Sequence, residues 1–287
     1  MKMSIFVFLL FILIPIQFEN PEAGINRADS DDGYELVWSD EFRGSGSPDP
    51  AKWGFELGYV RNFEAQYYTN RKENVRIANG KLIIEARKER IRNNDFVSPK
   101  DKNWRKRKRI SEYTSASVTT KGLAEWKYGK IEVRARLPKG VGAWSAIWML
   151  GEDLDELDWV KSGEIDIMEN VGFDPNVVLG TVHTEAFNYE NGTERSGKIK
   201  IKDPHREYHD YAIEWTPGKI EFAVDGAVYY RFRNAKRSYA EWPFDQKFHL
   251  KINTAVGGTW GGRKGIDVGS FPLRMYIDYV RVYQKKL

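Results

Sequence analysis

The strongest constraint on the fold is a side-chain period of two that recurs along the chain. Leu82, Ile84 and Ala86 alternate with Ile83, Glu85 and Arg87, and Ile131, Val133, Ala135 and Leu137 alternate with Glu132, Arg134 and Arg136. Ile220, Phe222 and Val224 repeat the pattern, as do Phe248, Leu250 and Ile252. Successive side chains of an extended chain point to opposite faces, so these stretches read as half-buried strands. Turn signals separate them: Asn79-Gly80, Pro138-Lys139-Gly140, Pro217-Gly218 and Asp225-Gly226. No long stretch carries a helical period. Short strands at this density, without interposed helices, predict a two-sheet antiparallel sandwich or a barrel. No linker or repeat divides the chain, so one all-β domain is expected over residues 34–285.

Of the 287 residues, 41% are hydrophobic and none is cysteine. The core can be substantial, whereas disulfides, thiolate metal sites and cysteine nucleophiles are excluded. Met1 and Lys2 precede an apolar run from Ile5 to Ile16, followed by polar Gln17, Glu19 and Asn20. A basic start and a short apolar run predict a secretory signal over residues 1–25, ending near Ala23-Gly24. An uncleaved membrane anchor is the alternative. A secreted or extracellular protein is expected, periplasm or cell surface included, with no stable membrane partner after signal cleavage. The formal charge of +4 gives no reason to expect a nucleic-acid partner. The segment Lys100–Arg109, KDKNWRKRKR, reads as a solvated loop between strands. Contact with an anionic polymer is the other reading of such a run.

The most informative segment is Ser162–Gly172, SGEIDIMENVG. In a regular strand Glu164 and Asp166 share one face, and Glu169 points to the other. A helix serves no better, because five residues at about 100° each separate Glu164 and Glu169 by about 140°. One inserted residue, a β-bulge near Ile167-Met168, returns Glu169 to the face of Glu164 and Asp166 and leaves Ile165 toward the core. Clustered carboxylates disfavour one another's ionisation, so at least one should hold its proton at unusually high pH. That is what retaining glycoside hydrolysis requires: one carboxylate attacks the anomeric carbon while a second, protonated, serves the leaving oxygen, the two lying about 5–5.5 Å apart. An acidic, solvent-facing strand is the alternative that spacing alone leaves open.

The run Glu164–Glu169, EIDIME, resembles the catalytic signature of glycoside hydrolase family 16 in its bulged, six-residue form. The likeness extends from Leu36 to Tyr283 and includes GAWSAIWM (142–149), GTVHT (180–184), YAIEWTP (211–217), NTAVGG (253–258) and IDYVRVY (277–283). The resemblance implies a β-jelly-roll sandwich of two curved antiparallel sheets with a concave substrate cleft. It implies Glu164 as nucleophile, Glu169 as acid/base and Asp166 as the residue that tunes the nucleophile, with no cofactor for catalysis. GTVHTEAFN, WPFDQKFHLKINTAVGGTWGG and FPLRMYIDYVRVY look most like the laminarinase group. That implies an endo-β-1,3-glucanase with β-glucan as its polysaccharide partner and mixed-linkage glucan as a second substrate, acting as a monomer. A galactanase of red-algal polysaccharide and a non-catalytic glucan-binding lectin are the competing readings.

Ten Trp and fifteen Tyr supply planes on which the C–H face of a sugar can stack. The resemblance places Trp144 and Trp148 on the donor side of the cleft, and their even spacing lets both face it from one strand. Trp126 and Trp260 are further candidates. By the same resemblance His183 lies near the acid/base and the acceptor sugar, while Asn62 and Arg71, in NFEAQYYTNR, contact donor-side sugars. It also implies a structural calcium ion held by Glu41, the Gly80 carbonyl and Asp278, all oxygen ligands.

Overall fold

A computed structural model describes residues 33–286. The predicted signal segment lies outside the described residues. The strands form two sheets. In the larger, Ala227–Arg233, Lys219–Val224, His209–Thr216, Gly129–Arg136, Leu273–Lys285, Lys81–Arg92, Ile110–Ser115 and Gln66–Tyr68 are neighbours in that order. Tyr34–Asp40 also pairs with Leu273–Lys285, and Val75–Ala78 with Lys81–Arg92. The smaller sheet runs Arg195–Lys200, Val177–His183, Glu164–Val171, Ala143–Gly151, Phe248–Val256, Ser117–Thr119, Gly54–Glu56. The jelly-roll sandwich is the predicted fold class.

The alternating residues face the space between the sheets. Ile131, Val133 and Ala135 from the larger sheet share one core with Leu250 and Ile252 from the smaller. Gly129–Arg136 alternates strictly between buried and half-buried positions. Phe248–Val256 is buried at every position. Its apolar residues enter the core, while His249, Lys251 and Asn253 occupy the opposite face, which other groups cover. Two predicted turns have both central residues in left-handed backbone, Asn79 and Gly80 at φ 54° and 67°, Asp225 and Gly226 at 52° and 80°. Two-residue hairpins with this backbone match the twist of the strands they join. Pairing departs from the antiparallel expectation at one place: Gln66–Tyr68 runs parallel to Ile110–Ser115. The two segments are far apart in sequence, so no hairpin dictates their relative direction.

Trp126 corrects a sequence expectation. It is 6% exposed, belongs to the core and stands edge-on to Trp38 at 5.3 Å. Its backbone pairs with Phe248 through hydrogen bonds of 3.0 and 2.8 Å. Residues opposite each other in an antiparallel pair share a face, so Trp126 follows Phe248 into the core instead of reaching substrate. Trp126→Ala should therefore lower unfolding free energy by about 3–5 kcal/mol in chemical denaturation, with KM of the folded variant unchanged.

Candidate active site

The Glu164–Val171 strand carries the irregularity that its sequence demands. Opposite Ala143–Gly151 the register steps from Asp166↔Trp148 to Met168↔Ile147, and opposite Val177–His183 from Asp166↔Thr181 to Glu169↔Leu179. Ile167 and Met168, consecutive in sequence, both enter the core with Ile165. This extra residue is the bulge, and it brings Glu169 to the same face as Glu164. Gly163 makes the approach to Glu164: its φ is +83°, and a Cβ there would meet the Pro243 ring at 2.7 Å.

Glu164 and Glu169 open into a cleft of about 700 Å³ on the outer face of the smaller sheet. Each carboxylate receives one indole N–H. Trp144 Nε1 donates to Glu169 Oε1 at 2.9 Å, and Trp159 Nε1 donates to Glu164 Oε2. Trp159 stands on two short helical turns, Leu154–Leu157 and Trp159–Ser162. Asp153 anchors them by accepting hydrogen bonds from Ser162 Oγ at 2.6 Å and Tyr239 OH at 2.9 Å. Between the two glutamates Asp166 is 3% exposed, with His183 Nε2 3.4 Å from its Oδ2.

Burial and like charge set the protonation pattern. Burial pushes Glu169 up, the Trp144 hydrogen bond opposes this, and the Glu164 charge adds to it, leaving the pKa at about 7. Asp166 is driven well above the usual carboxylate range by burial, then by the Glu164 and Glu169 charges and its hydrogen bond with Glu164. A neutral Asp166 can donate that hydrogen bond to an ionised Glu164. The strand thus presents Glu164 to the cleft beside a Glu169 that holds its proton to unusually high pH. Glu164, Asp166 and His183 also offer three ligand-type atoms within 4.8 Å of one another, and in this arrangement the carboxylates are already engaged with each other and with Trp159.

A model of glycosyl hydrolases family 16 matches residues 63–281. The chain belongs to this family. It is 47% identical to a β-glucanase of Rhodothermus marinus over 96% of this chain and 93% of that protein. The laminarinase structure from R. marinus superposes with a TM-score of 0.79 at 48% identity, covering 88% of this chain and 98% of the other. SCLam, described as a non-specific endo-β-1,3(4)-glucanase of this family, gives 0.79 at 42% identity over 89% and 92% of the two chains.

Asn62, Trp144, Trp148, His183 and Trp260 all line the cleft with the two glutamates. Trp260 stands edge-on to Trp144 at 5.5 Å, and the Asn62 carbonyl accepts from the Thr259 N–H at 3.0 Å. Trp148 is only 6% exposed. Its N–H donates to Asn253 Oδ1 at 2.8 Å, and Arg61 and Lys251 lie 4.8 and 4.4 Å from its ring centre. It organises the cleft floor more than it offers a stacking face. Glu56 links both cations; burial would raise its pKa, but Arg61 and Lys251 hold it well below the usual range.

Arg71 is placed elsewhere. It pairs with Glu89 and donates to Asn74 Oδ1 at 3.0 Å, away from the cleft lining. The reason is local: the turn Arg71–Asn74 joins Gln66–Tyr68 to Val75–Ala78, both strands of the larger sheet, so Arg71 stays with that sheet. Trp159, Tyr189, Trp104 and Arg105 line the cleft without having been singled out for it. Trp159 lies five residues before Glu164, a spacing that becomes informative only once the helical turns fold back. Tyr189 and Trp159 pack at 4.9 Å beside His183.

The calcium positions do not fit a divalent ion as they are placed. Glu41 is taken in a bidentate pair by Arg281, both contacts 2.8 Å. Lys81 Nζ lies 2.6 Å from Asp278 Oδ1 and 3.4 Å from the Gly80 carbonyl, and Arg134 approaches Asp278 at 3.4 Å. Lysine and arginine already neutralise both carboxylates. The melting temperature should accordingly be the same in EDTA and in excess calcium, as read by calorimetry.

Glu169 gives a further expectation. A carboxyl whose pKa is 4.5 unfolded and about 7 folded favours the native state fully below 4.5, and that contribution is lost as pH rises through about 7. Glu169→Gln removes the ionisation. Its melting temperature should exceed that of the parent above about pH 7 and converge with it near 4.5.

Proposed function

We infer that this chain is a retaining endo-β-1,3-glucanase, with mixed-linkage β-1,3-1,4-glucan as a second substrate. The observation that carries the reading is the bulged strand, which turns Glu164 and a high-pKa Glu169 into one open cleft. Glu164 attacks the anomeric carbon while Glu169 gives its proton to the departing glycosidic oxygen, releasing the acceptor side of the polymer. A glycosyl ester to Glu164 forms. Glu169, now a carboxylate, takes a proton from water, and the resulting nucleophile displaces Glu164 from the anomeric carbon. Asp166 and the Trp159 N–H steady the charge on Glu164 between the two steps.

Internal cleavage is supported by the cleft's extent. Its walls run past the glutamates on both sides, to Trp104 and Arg105 one way and to Tyr189 and Ser196 the other. The glucan assignment is supported by the β-glucanase and the laminarinase structure of R. marinus and by SCLam. A relative from Sphingobacterium multivorum, 31% identical over 88% of this chain, is a keratan-sulfate endo-1,4-β-galactosidase, so linkage and sugar are the features to test. We further propose that the chain is secreted after removal of its first residues and acts as a monomer.

Digestion of laminarin, lichenan, agar and carrageenan should release reducing ends from laminarin first and lichenan second; preferential release from agar or carrageenan would overturn the glucan assignment. The first product seen by NMR should be the β-anomer. Glu164→Ala should abolish turnover with the melting curve retained. Glu169→Gln should lower kcat by about 10²- to 10⁴-fold. In the parent, kcat should fall as pH rises through about 7, where Glu169 loses the proton it must donate. Trp144→Phe removes the hydrogen bond that favours the ionised form, so this limb should move to higher pH.

A further inference from the structure

The basic segment between Lys81–Arg92 and Ile110–Ser115 is not a free solvated loop. Its base is closed by the Asn93 N–H on the Arg109 carbonyl at 2.9 Å, and the Val97 N–H donates to the Lys106 carbonyl at 3.0 Å. Asn93, 1% exposed, donates its side-chain amide to the carbonyls of Arg105 and Lys108 at 2.8 and 2.9 Å. A short 3-10 turn, Trp104–Lys106, begins where the Asn103 side chain accepts from the Arg105 N–H. Arg105 Nε then donates to the Val60 carbonyl at 2.7 Å and pins the segment to the loop that forms one rim of the cleft. Long connections held this firmly are more often functional than incidental.

What the anchoring achieves is an aromatic surface. Trp104 packs on Tyr59 at 5.7 Å and on Phe63 at 5.0 Å, the latter with the two rings inclined by only 34°. Phe63 is 63% exposed, and both it and Asn62 adopt left-handed backbone, φ 52° and 54°. Left-handed φ in a bulky residue is costly, and here it delivers an apolar ring to solvent beside another. Trp104, Arg105, Arg61 and Asn62 line the same cleft as Glu164 and Glu169. They lie across the catalytic strand from His183 and Tyr189, toward the Gly54–Glu56 edge of the sheet.

We propose that Trp104 and Phe63, with the Arg105 guanidinium, form a distal subsite on the Gly54–Glu56 side of the cleft that holds a glucosyl unit of the polymer several sugars from the bond being cut. The aromatic pair takes the C–H face of the ring, and the planar guanidinium donates to its hydroxyls. The basic run thereby sets preference for chain length in place of contacting a polyanion. This inference rests on the β-1,3-glucanase reading.

The test is the dependence of kcat/KM on chain length, from laminaribiose to laminariheptaose, for the parent, Trp104→Ala and Phe63→Asn. Asparagine tolerates the left-handed backbone and removes only the ring. Both variants should be fully folded at the assay temperature, as read by their melting curves. Trp104→Ala should lose about three- to tenfold in kcat/KM on the longest oligosaccharides and nothing on the shortest one cleaved, with Phe63→Asn showing a smaller loss of the same form. A loss equal at all lengths, or none at any length, overturns the subsite while leaving the glucanase reading intact. A parent enzyme that cleaves no member of the series overturns both.

Discussion

One surplus residue in one strand governs the site. Ile167 and Met168 both turn inward, where the core takes up their side chains, and the pleat resumes with Glu169 facing out. Burying two apolar side chains stabilises by roughly 1.5–3 kcal/mol each, which holds the backbone in its irregular path. Without that displacement Glu169 would enter an apolar layer, leaving Glu164 and Asp166 on the cleft face without it. Because the bulge is gripped by the core on one side and paired with strands on both edges, the two carboxyl groups are positioned by backbone held on three sides.

The electrostatics follow from the same placement. Three carboxyls on one face, with Asp166 almost wholly buried, cannot all be ionised, so protons remain on Asp166 and Glu169 to unusually high pH. The Trp144 N–H opposes the rise at Glu169, and the Trp159 N–H holds Glu164, neither adding charge. They reach the site by different routes. Trp144 belongs to the neighbouring strand and is held by sheet register, whereas Trp159 depends on a helical excursion anchored through Asp153. Along the cleft floor a second set of charges, Glu56 between Arg61 and Lys251, is held together by ion pairs and braces Trp148. Charge is therefore used in two ways: like charges are crowded where a proton must be held, and opposite charges are paired where the floor must be held in place.

The cleft walls come from segments with little regular structure. The Tyr59–Phe63 loop, the basic segment and the short Gly258–Gly261 turn gather on one side, and the Leu154–Ser162 turns with Tyr189 on the other. Both groups are tied down by side-chain-to-backbone hydrogen bonds, such as Asn93 to Arg105 and Lys108. Rim and floor are thus built differently, the floor by strand pairing and the rim by local anchoring.

The sequence alone determined what depends on neighbours along the chain. Alternation placed the strands, Asn79-Gly80 and Asp225-Gly226 placed hairpins, and the parity of EIDIME required a bulge, because side-chain direction in a strand is a local property. Assignments that required knowing which segment lies opposite were decided only by the tertiary structure. Trp126 goes to the core because Phe248 is its partner, and Arg71 turns away because it joins two strands of the larger sheet, where Glu89 and Asn74 take it up. Glu41 and Asp278 are matched by Arg281 and by Lys81 with Arg134, cations that a carboxylate motif does not reveal. The role of KDKNWRKRKR was hidden for the same reason: its Trp and Arg acquire a surface only when Val60 and Phe63, remote in sequence, fold against them.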